Sequence, residues 1–150
     1  MIKVMFVCLG NICRSPMSEF VLKDMVNKLG VADDFEIASS ATSSEEVGHD
    51  MHNGSKNKLR EEGIPFTKRQ ARQFTMGDYD YYDYVIIMER YNYVHLCRII
   101  NDDKDGKVHL LLEYTGENKD IADPWYTGNF DKTYSDVVRG CRGFLKYLGY

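Results

Sequence analysis

Proline and cysteine are scarce in this 150-residue chain, three and four residues respectively, and tryptophan occurs once. Cys8, Cys13, Cys97 and Cys141 are too few to build a disulfide scaffold of this length. No apolar run approaches a membrane span. The opening apolar stretch, residues 2–9, is broken by Lys3 and has no small-residue cleavage pattern behind it, which argues against a secretory signal. A reducing cytoplasm is the expected compartment, and Asn53-Gly54-Ser55 is then no glycosylation site. An excess of basic charge is also missing: the formal net charge is −4, with 10 basic and 10 acidic residues in 1–75 and 9 against 13 in 76–150. That excludes a surface built as a whole to hold nucleic acid or an anionic membrane, so any anion must be held locally. Repeats, linkers and low-complexity segments are lacking, and one domain over residues 1–150, acting as a monomer, is expected.

What is present alternates. Lys3 to Val7 reads as a strand buried on both faces, and Pro16 to Leu29 as a helix with Met17, Phe20, Val21, Met25 and Leu29 on one side, stopped by Gly30. Phe35 to Ala38 is a second strand, and Ser55 to Glu62 a helix ended by Gly63 and Pro65. Tyr84 to Met88 is a third strand, followed by a helix with Tyr93, Leu96, Cys97 and Ile100 at one face. Val108 to Leu112 is a fourth strand. A closing helix sets Tyr134, Val137, Val138, Cys141, Leu145 and Leu148 on one stripe. The pattern predicts an α/β fold of three layers, a four-stranded parallel sheet between helices, doubly wound in the flavodoxin-like manner. Ligands of such sheets bind at the carboxyl ends of the strands, which directs attention to the loop after the first strand. The tyrosines of residues 79–84 are expected to pack an edge, and the four histidines show no ligand spacing.

The loop reads Cys8-Leu9-Gly10-Asn11-Ile12-Cys13-Arg14-Ser15-Pro16. It has neither the Gly-Lys-Ser/Thr of a nucleotide-phosphate loop nor the three glycines of a dinucleotide fingerprint. Its physics nonetheless points to an oxyanion. Successive amides in a tight strand-to-helix turn converge on one centre, a helix beginning at Pro16 adds positive potential, and Arg14 offers a bidentate fork. Groups that attract a phosphate dianion also stabilise a thiolate, so Cys8 is expected to be nucleophilic at neutral pH, with the Ser15 hydroxyl as its donor. A cysteine ending a buried strand can also be plain packing, and a Cys8–Cys13 zinc pair is a weaker reading for want of a second ligand pair.

These residues resemble the signature loop of the low-molecular-weight protein tyrosine phosphatases, the Cys-x5-Arg-Ser/Thr enzymes whose loop lies at the N-terminus. Two further features carry the resemblance, which spans essentially the whole chain: Ser39, where the family has a serine after its second strand that supports the loop asparagine, here Asn11, and Asp123-Pro124-Trp125-Tyr126, similar to the loop that carries the family's general acid. The resemblance implies that Leu9, Gly10, Asn11, Ile12, Cys13 and Ser15 bind substrate with Trp125 and Tyr126. It also implies that Cys13 can pair with Cys8 on oxidation, and that neither metal nor other cofactor is needed. Independently of the family, a carboxyl such as Asp123 can protonate a leaving phenolate and then activate water, and Pro124 holds it in extended backbone. An aspartate before proline is otherwise a common turn residue.

Two departures from the family stand out. Trp125 replaces the more usual tyrosine, so a wall against the substrate ring is kept while a phosphorylation site is lost there. Glu45 and Glu46 stand where relatives commonly have an aromatic and an asparagine, and two carboxylates at the mouth are expected to repel acidic flanking sequence. The expected activity is hydrolysis of protein phosphotyrosine through a phosphocysteine, with phosphate or another oxyanion as product or inhibitor. On the same fold, an arginine phosphatase would be expected to carry threonine in place of Ile12, and a thiol-coupled arsenate reductase would need further cysteines that Cys97 and Cys141, on helix stripes, do not supply. A phosphotyrosine-binding module without activity would be expected to lack the nucleophile or the acid, and both are present.

Overall fold

The computed structural model describes residues 1–150. Strand β1 (Ile2–Cys8) leads through the loop into helix α1 (Arg14–Lys28), β2 (Phe35–Ala41), α2 (Asn53–Glu61), α3 (Met76–Tyr81), β3 (Tyr84–Ile87), α4 (Arg90–Ile100), β4 (Val108–Leu110), α5 (Pro124–Thr127) and α6 (Phe130–Leu148). All strand pairs are parallel in the order β2-β1-β3-β4. The chain leaves β1 toward one edge and later returns to its other side, so the carboxyl end of β1 is the point where strand order reverses.

Alternation along β1 feeds two cores. Val4, Phe6 and Cys8 join the apolar cluster with Phe20, Val21, Val137 and Phe144 of α1 and α6. Met5 and Val7 point the other way, to Tyr79 of α3, Tyr82 just after it, and Leu96 and Ile100 of α4. Each such fully buried large side chain contributes on the order of 1.5–3 kcal/mol of transfer free energy. The first strand is therefore held on both faces, and its last side chain, Cys8, is placed by the same alternation that packs Phe6.

Several element ends differ from the expectations. Helix α1 begins at Arg14, so Pro16 occupies the third helical position. The first turn of a helix needs no intrahelical amide donor there, and the ladder opens with the Met17 amide on the Cys13 carbonyl at 3.3 Å. Strand β2 runs on to Ala41, placing Ser39 inside it. Strand β4 stops at Leu110, because Leu111 and Leu112 both enter the α1–α6 core; a strand would send them to opposite faces, and a 3-10 turn (Leu111–Thr115) sends them to one. Helix α3 was not anticipated, although Thr75 and Asp78 form a capping box at its start. The tyrosine-rich segment packs as expected at Tyr79 and Tyr82, both buried.

Candidate active site

Cys8 is 3% exposed, and its Sγ receives the Asn11 amide at 3.2 Å and lies 3.1 Å from Ser15 Oγ. Asn11 has φ +59°, the left-handed region that few residues other than glycine adopt. Its side chain holds that bend. Nδ2 donates to Ser15 Oγ at 2.7 Å and to Ser39 Oγ at 3.0 Å, and Oδ1 accepts from the Arg69 guanidinium and from the Arg72 amide at 3.3 Å. Because Asn11 donates to the Ser15 oxygen, the Ser15 hydroxyl proton is shared between two acceptors, Cys8 Sγ at 3.1 Å and the Ser40 carbonyl at 3.4 Å. Ser39 in turn donates to Glu19 at 2.6 Å.

The loop's carbonyls are tied outward. The amides of Thr42, Ser43 and His52 donate to the carbonyls of Cys8, Leu9 and Ile12 at 2.9, 3.0 and 2.8 Å, and Arg69 donates to the Asn11 carbonyl at 2.6 Å. A trans peptide plane sets its N–H opposite its C=O. Anchoring these four carbonyls therefore turns the amides of Leu9, Gly10, Ile12 and Cys13 to the opposite side.

Arg14 follows on the first turn of α1. It is 1% exposed, yet its guanidinium is fully charged and partnered: Nη1 donates to Glu89 at 3.0 Å and to the Ile121 carbonyl at 2.9 Å, and Nη2 to Asp123 at 3.4 Å. Burial works against the cation, but Cys8, Asp123 and Glu89 together outweigh it and hold Arg14 above its ordinary pKa. Asp123 ends an extended segment and caps α5, its Oδ1 accepting from the Trp125 amide at 3.0 Å. Cys13 is pushed up to about 12, chiefly by burial and further by Cys8 and Asp123. At neutral pH it is a thiol.

Cys8, Leu9, Gly10, Ile12, Cys13, Arg14, Asp123, Trp125 and Tyr126 line one pocket of about 90 Å³, with Glu45 and Glu46 at its rim. Two ends of the chain thus meet at the carboxyl end of β1. Asn11 and Ser15 are fully buried behind the pocket and Ser39 nearly so, so their side chains act on the loop from beneath. Trp125 and Tyr126 are 58% and 78% exposed and form an outer wall. Glu46 is paired with His49 at 2.6 Å.

Four contributors escaped the sequence reading. Glu89 and Ile121 orient Arg14, Arg69 fixes Asn11, and His52 joins the two halves of the site. The His52 ring stacks on Phe130 (centroids 5.5 Å apart) and meets Trp125 edge to face at 5.4 Å. Its Nδ1 accepts from the Gly54 amide at 2.9 Å, capping α2. A Cβ on Gly54 would lie 2.3 Å from the Phe130 ring, so only glycine permits this packing. The His52-x-Gly54 pair was the available signal.

A parallel sheet with a cysteine at the carboxyl end of its first strand, an arginine six residues on at the start of the next helix and an aspartate capping the opposite wall defines a cysteine-based phosphatase architecture. The chain belongs to the low molecular weight phosphotyrosine protein phosphatase family, whose model matches residues 3–150. It is 37% identical over 147 residues to the low molecular weight protein-tyrosine-phosphatase YfkJ of Bacillus subtilis, covering 97% of this chain and 94% of that protein. The crystal structure of YfkJ superposes with a TM-score of 0.95, covering 99% of this chain and 95% of that one. A low molecular weight protein tyrosine phosphatase from Streptococcus pyogenes is 39% identical with a TM-score of 0.88 (99% and 93% covered). A Drosophila arginine phosphatase is 27% identical with a TM-score of 0.90 (99% of each chain covered).

Proposed function

We propose that this chain, as a single domain, hydrolyses protein phosphotyrosine by a two-step, metal-free mechanism. Membership of the family supports the activity, and the convergence of Cys8, Arg14 and Asp123 on one pocket carries the assignment of roles. Cys8 Sγ attacks phosphorus and the tyrosyl oxygen departs. The inward amides and Arg14 hold the equatorial oxygens, the kind of fixed electrostatic complement that accounts for most of the rate in such sites. An incoming dianion competes with Asp123 for Arg14 Nη2; the displaced carboxylate, now facing the dianion instead of the guanidinium, takes up a proton from solvent and delivers it to the leaving phenolate. Water then attacks the phosphocysteine with Asp123 as base, and Cys8 leaves as a thiolate supported by Ser15 and the Asn11 amide.

Cys13 is the thiol that would protect this nucleophile. Oxidation of Cys8 to a sulfenic acid lets Cys13 attack its sulfur with loss of water, closing a disulfide that thiols reopen. The chemistry requires Cys8 in reduced form, which suits a reducing cytoplasm. Ile12, on the pocket wall, brings no hydroxyl to assist attack on a phosphoramidate, which favours phosphotyrosine over phosphoarginine.

The test is hydrolysis of matched phosphotyrosine and phosphoarginine peptides in the presence of chelator. Turnover of phosphotyrosine with unchanged rate in chelator is expected. A preference for phosphoarginine would overturn the substrate, and a strict metal requirement the mechanism.

A further inference from the structure

Beside the catalytic pocket lies a second, broader groove between the segment after β2 and helix α4. Leu9, Ser43 and Glu45 line both, so the two are continuous across Leu9. The far part of the groove is formed by Thr42, Gln73, His95 and Arg98.

This wall has unspent polar capacity. Thr42 Oγ1, Ser43 Oγ and His95 Nδ1 are three of the five buried side-chain polar atoms in the chain that find no hydrogen-bond partner. A buried polar group without a partner is costly, and a cluster of them marks a surface completed by something else. Rotation about one side-chain bond would turn the buried Thr42 or Ser43 hydroxyl toward the groove that its residue lines, where it would donate to an oxygen. Arg98 is exposed, lacks a carboxylate partner and adds a cation to the same end. Hydroxyl donors beside a free guanidinium select an anionic oxygen acceptor. Glu45 works in the opposite sense, because its carboxylate stands at the junction with the catalytic pocket.

Resting on the phosphotyrosine reading above, we propose that this groove is a substrate subsite for an acidic side chain carried on the same peptide as the phosphotyrosine. The order of charges along the groove sets its position. Glu45 disfavours an acid directly beside the phosphotyrosine, whereas Arg98 and Thr42 favour one that has passed beyond it. An extended peptide advances about 3.3 Å per residue, so the favoured acid lies some residues away rather than adjacent.

The experiment walks a glutamate along both sides of the phosphotyrosine in otherwise alanine-based peptides and measures kcat/KM at low salt. The wild type is compared with Arg98→Ala, Arg98→Glu and Thr42→Val. One or two distant positions are expected to raise kcat/KM about three- to fivefold over alanine, the scale of a partly exposed charge pair, with the gain in KM and screened by added salt. Arg98→Ala should erase the gain and Arg98→Glu should reverse it in favour of lysine. Thr42→Val should weaken the same peptides without lowering Tm, since it removes a hydroxyl that the fold leaves unpartnered. Turnover of p-nitrophenyl phosphate, too small to reach the groove, reports the catalytic pocket alone. A flat glutamate scan with normal p-nitrophenyl phosphate turnover, or a glutamate preference that survives in Arg98→Glu, overturns the subsite and leaves the phosphatase reading standing. Absence of turnover on every phosphotyrosine substrate overturns both.

Discussion

Asp123 accepts a 3.4 Å hydrogen bond from Arg14 Nη2 across the pocket floor, while the other amino nitrogen of the same guanidinium is held by Glu89 and the Ile121 carbonyl. The arginine is thus fixed at one end and exchangeable at the other. In the proposed mechanism a phosphate dianion displaces the carboxylate only from the exchangeable end.

Substitutions of Asp123 separate its two duties. Asp123→Asn keeps the cap on α5, whereas Asp123→Ala loses it. Both are expected to slow aryl phosphates with poor leaving groups by about 10²–10⁴-fold, the range for loss of a general acid. The deficit should shrink as the leaving phenol becomes more acidic. A penalty independent of leaving-group pKa in steady-state kinetics would contradict the role.

Cys8→Ser is expected to abolish turnover while inorganic phosphate still binds, because the amides and Arg14 remain. Full activity of that variant would sink the mechanism. Arg14→Lys keeps the charge but cannot serve Glu89, the Ile121 carbonyl and an anion together, and kcat should fall about 10²–10³-fold.

Asn11 combines a strained backbone with four side-chain hydrogen bonds. Asn11→Gly relieves the strain and loses the bonds, whereas Asn11→Ala keeps the strain and loses them as well. Thermal unfolding should place Ala below Gly by about 1–2 kcal/mol, and both variants should bind phosphate more weakly than the wild type. Equal stability of the two would mean that the bend carries no strain.

Cys13 adds a pH dependence. Its folded pKa, about 12, lies above the ordinary thiol value of 9.0, so the folded chain holds a proton that the unfolded chain gives up. The associated stability is complete below pH 9 and is lost as pH rises toward 12. Cys13→Ala should show a shallower alkaline decline in Tm, with the remainder due to groups such as Tyr79, also pushed up to about 12, first by burial and then by its bond to Asp103. At pH 7 iodoacetamide should label Cys8 and spare Cys13, read by fragment mass spectrometry.

His52 offers a test of the outer wall. His52→Asn can still cap α2 but loses the stack on Phe130 and the edge-to-face contact with Trp125. It is expected to raise KM for aryl phosphates several-fold, on the order of the 0.5–1.5 kcal/mol of an aromatic pair, with inhibition by inorganic phosphate unchanged. An equal change in both would place the effect in the loop rather than the wall.

The sheet, the loop and the two segments that meet at the pocket are legible in the sequence because each is carried by local pattern: short continuous apolar runs, a cysteine and an arginine six residues apart, an aspartate before proline. What stayed hidden was held by distant pairing. Glu89 meets Arg14 across 75 residues, Arg69 meets Asn11 across 58, and neither spacing leaves a periodic trace. Strand β4 was read too long because Leu111 and Leu112 extend its apolar run, and only the position of the α1–α6 core shows that both turn to one side. Helix α5, four residues long, was missed for lack of any periodicity, although Asp123-Pro124 is a good cap and first turn.

The outward anchoring of the loop carbonyls bears on how this site tolerates sequence change. The groups turned inward are main-chain amides, which every residue but proline brings to its position. In the proposed mechanism, replacing Leu9 or Ile12 alters the pocket's bulk and greasiness and leaves its grip on the phosphoryl group in place. The loop can therefore drift in side-chain character, and with it in the company it keeps around the phosphate, while the anion receptor itself is inherited intact.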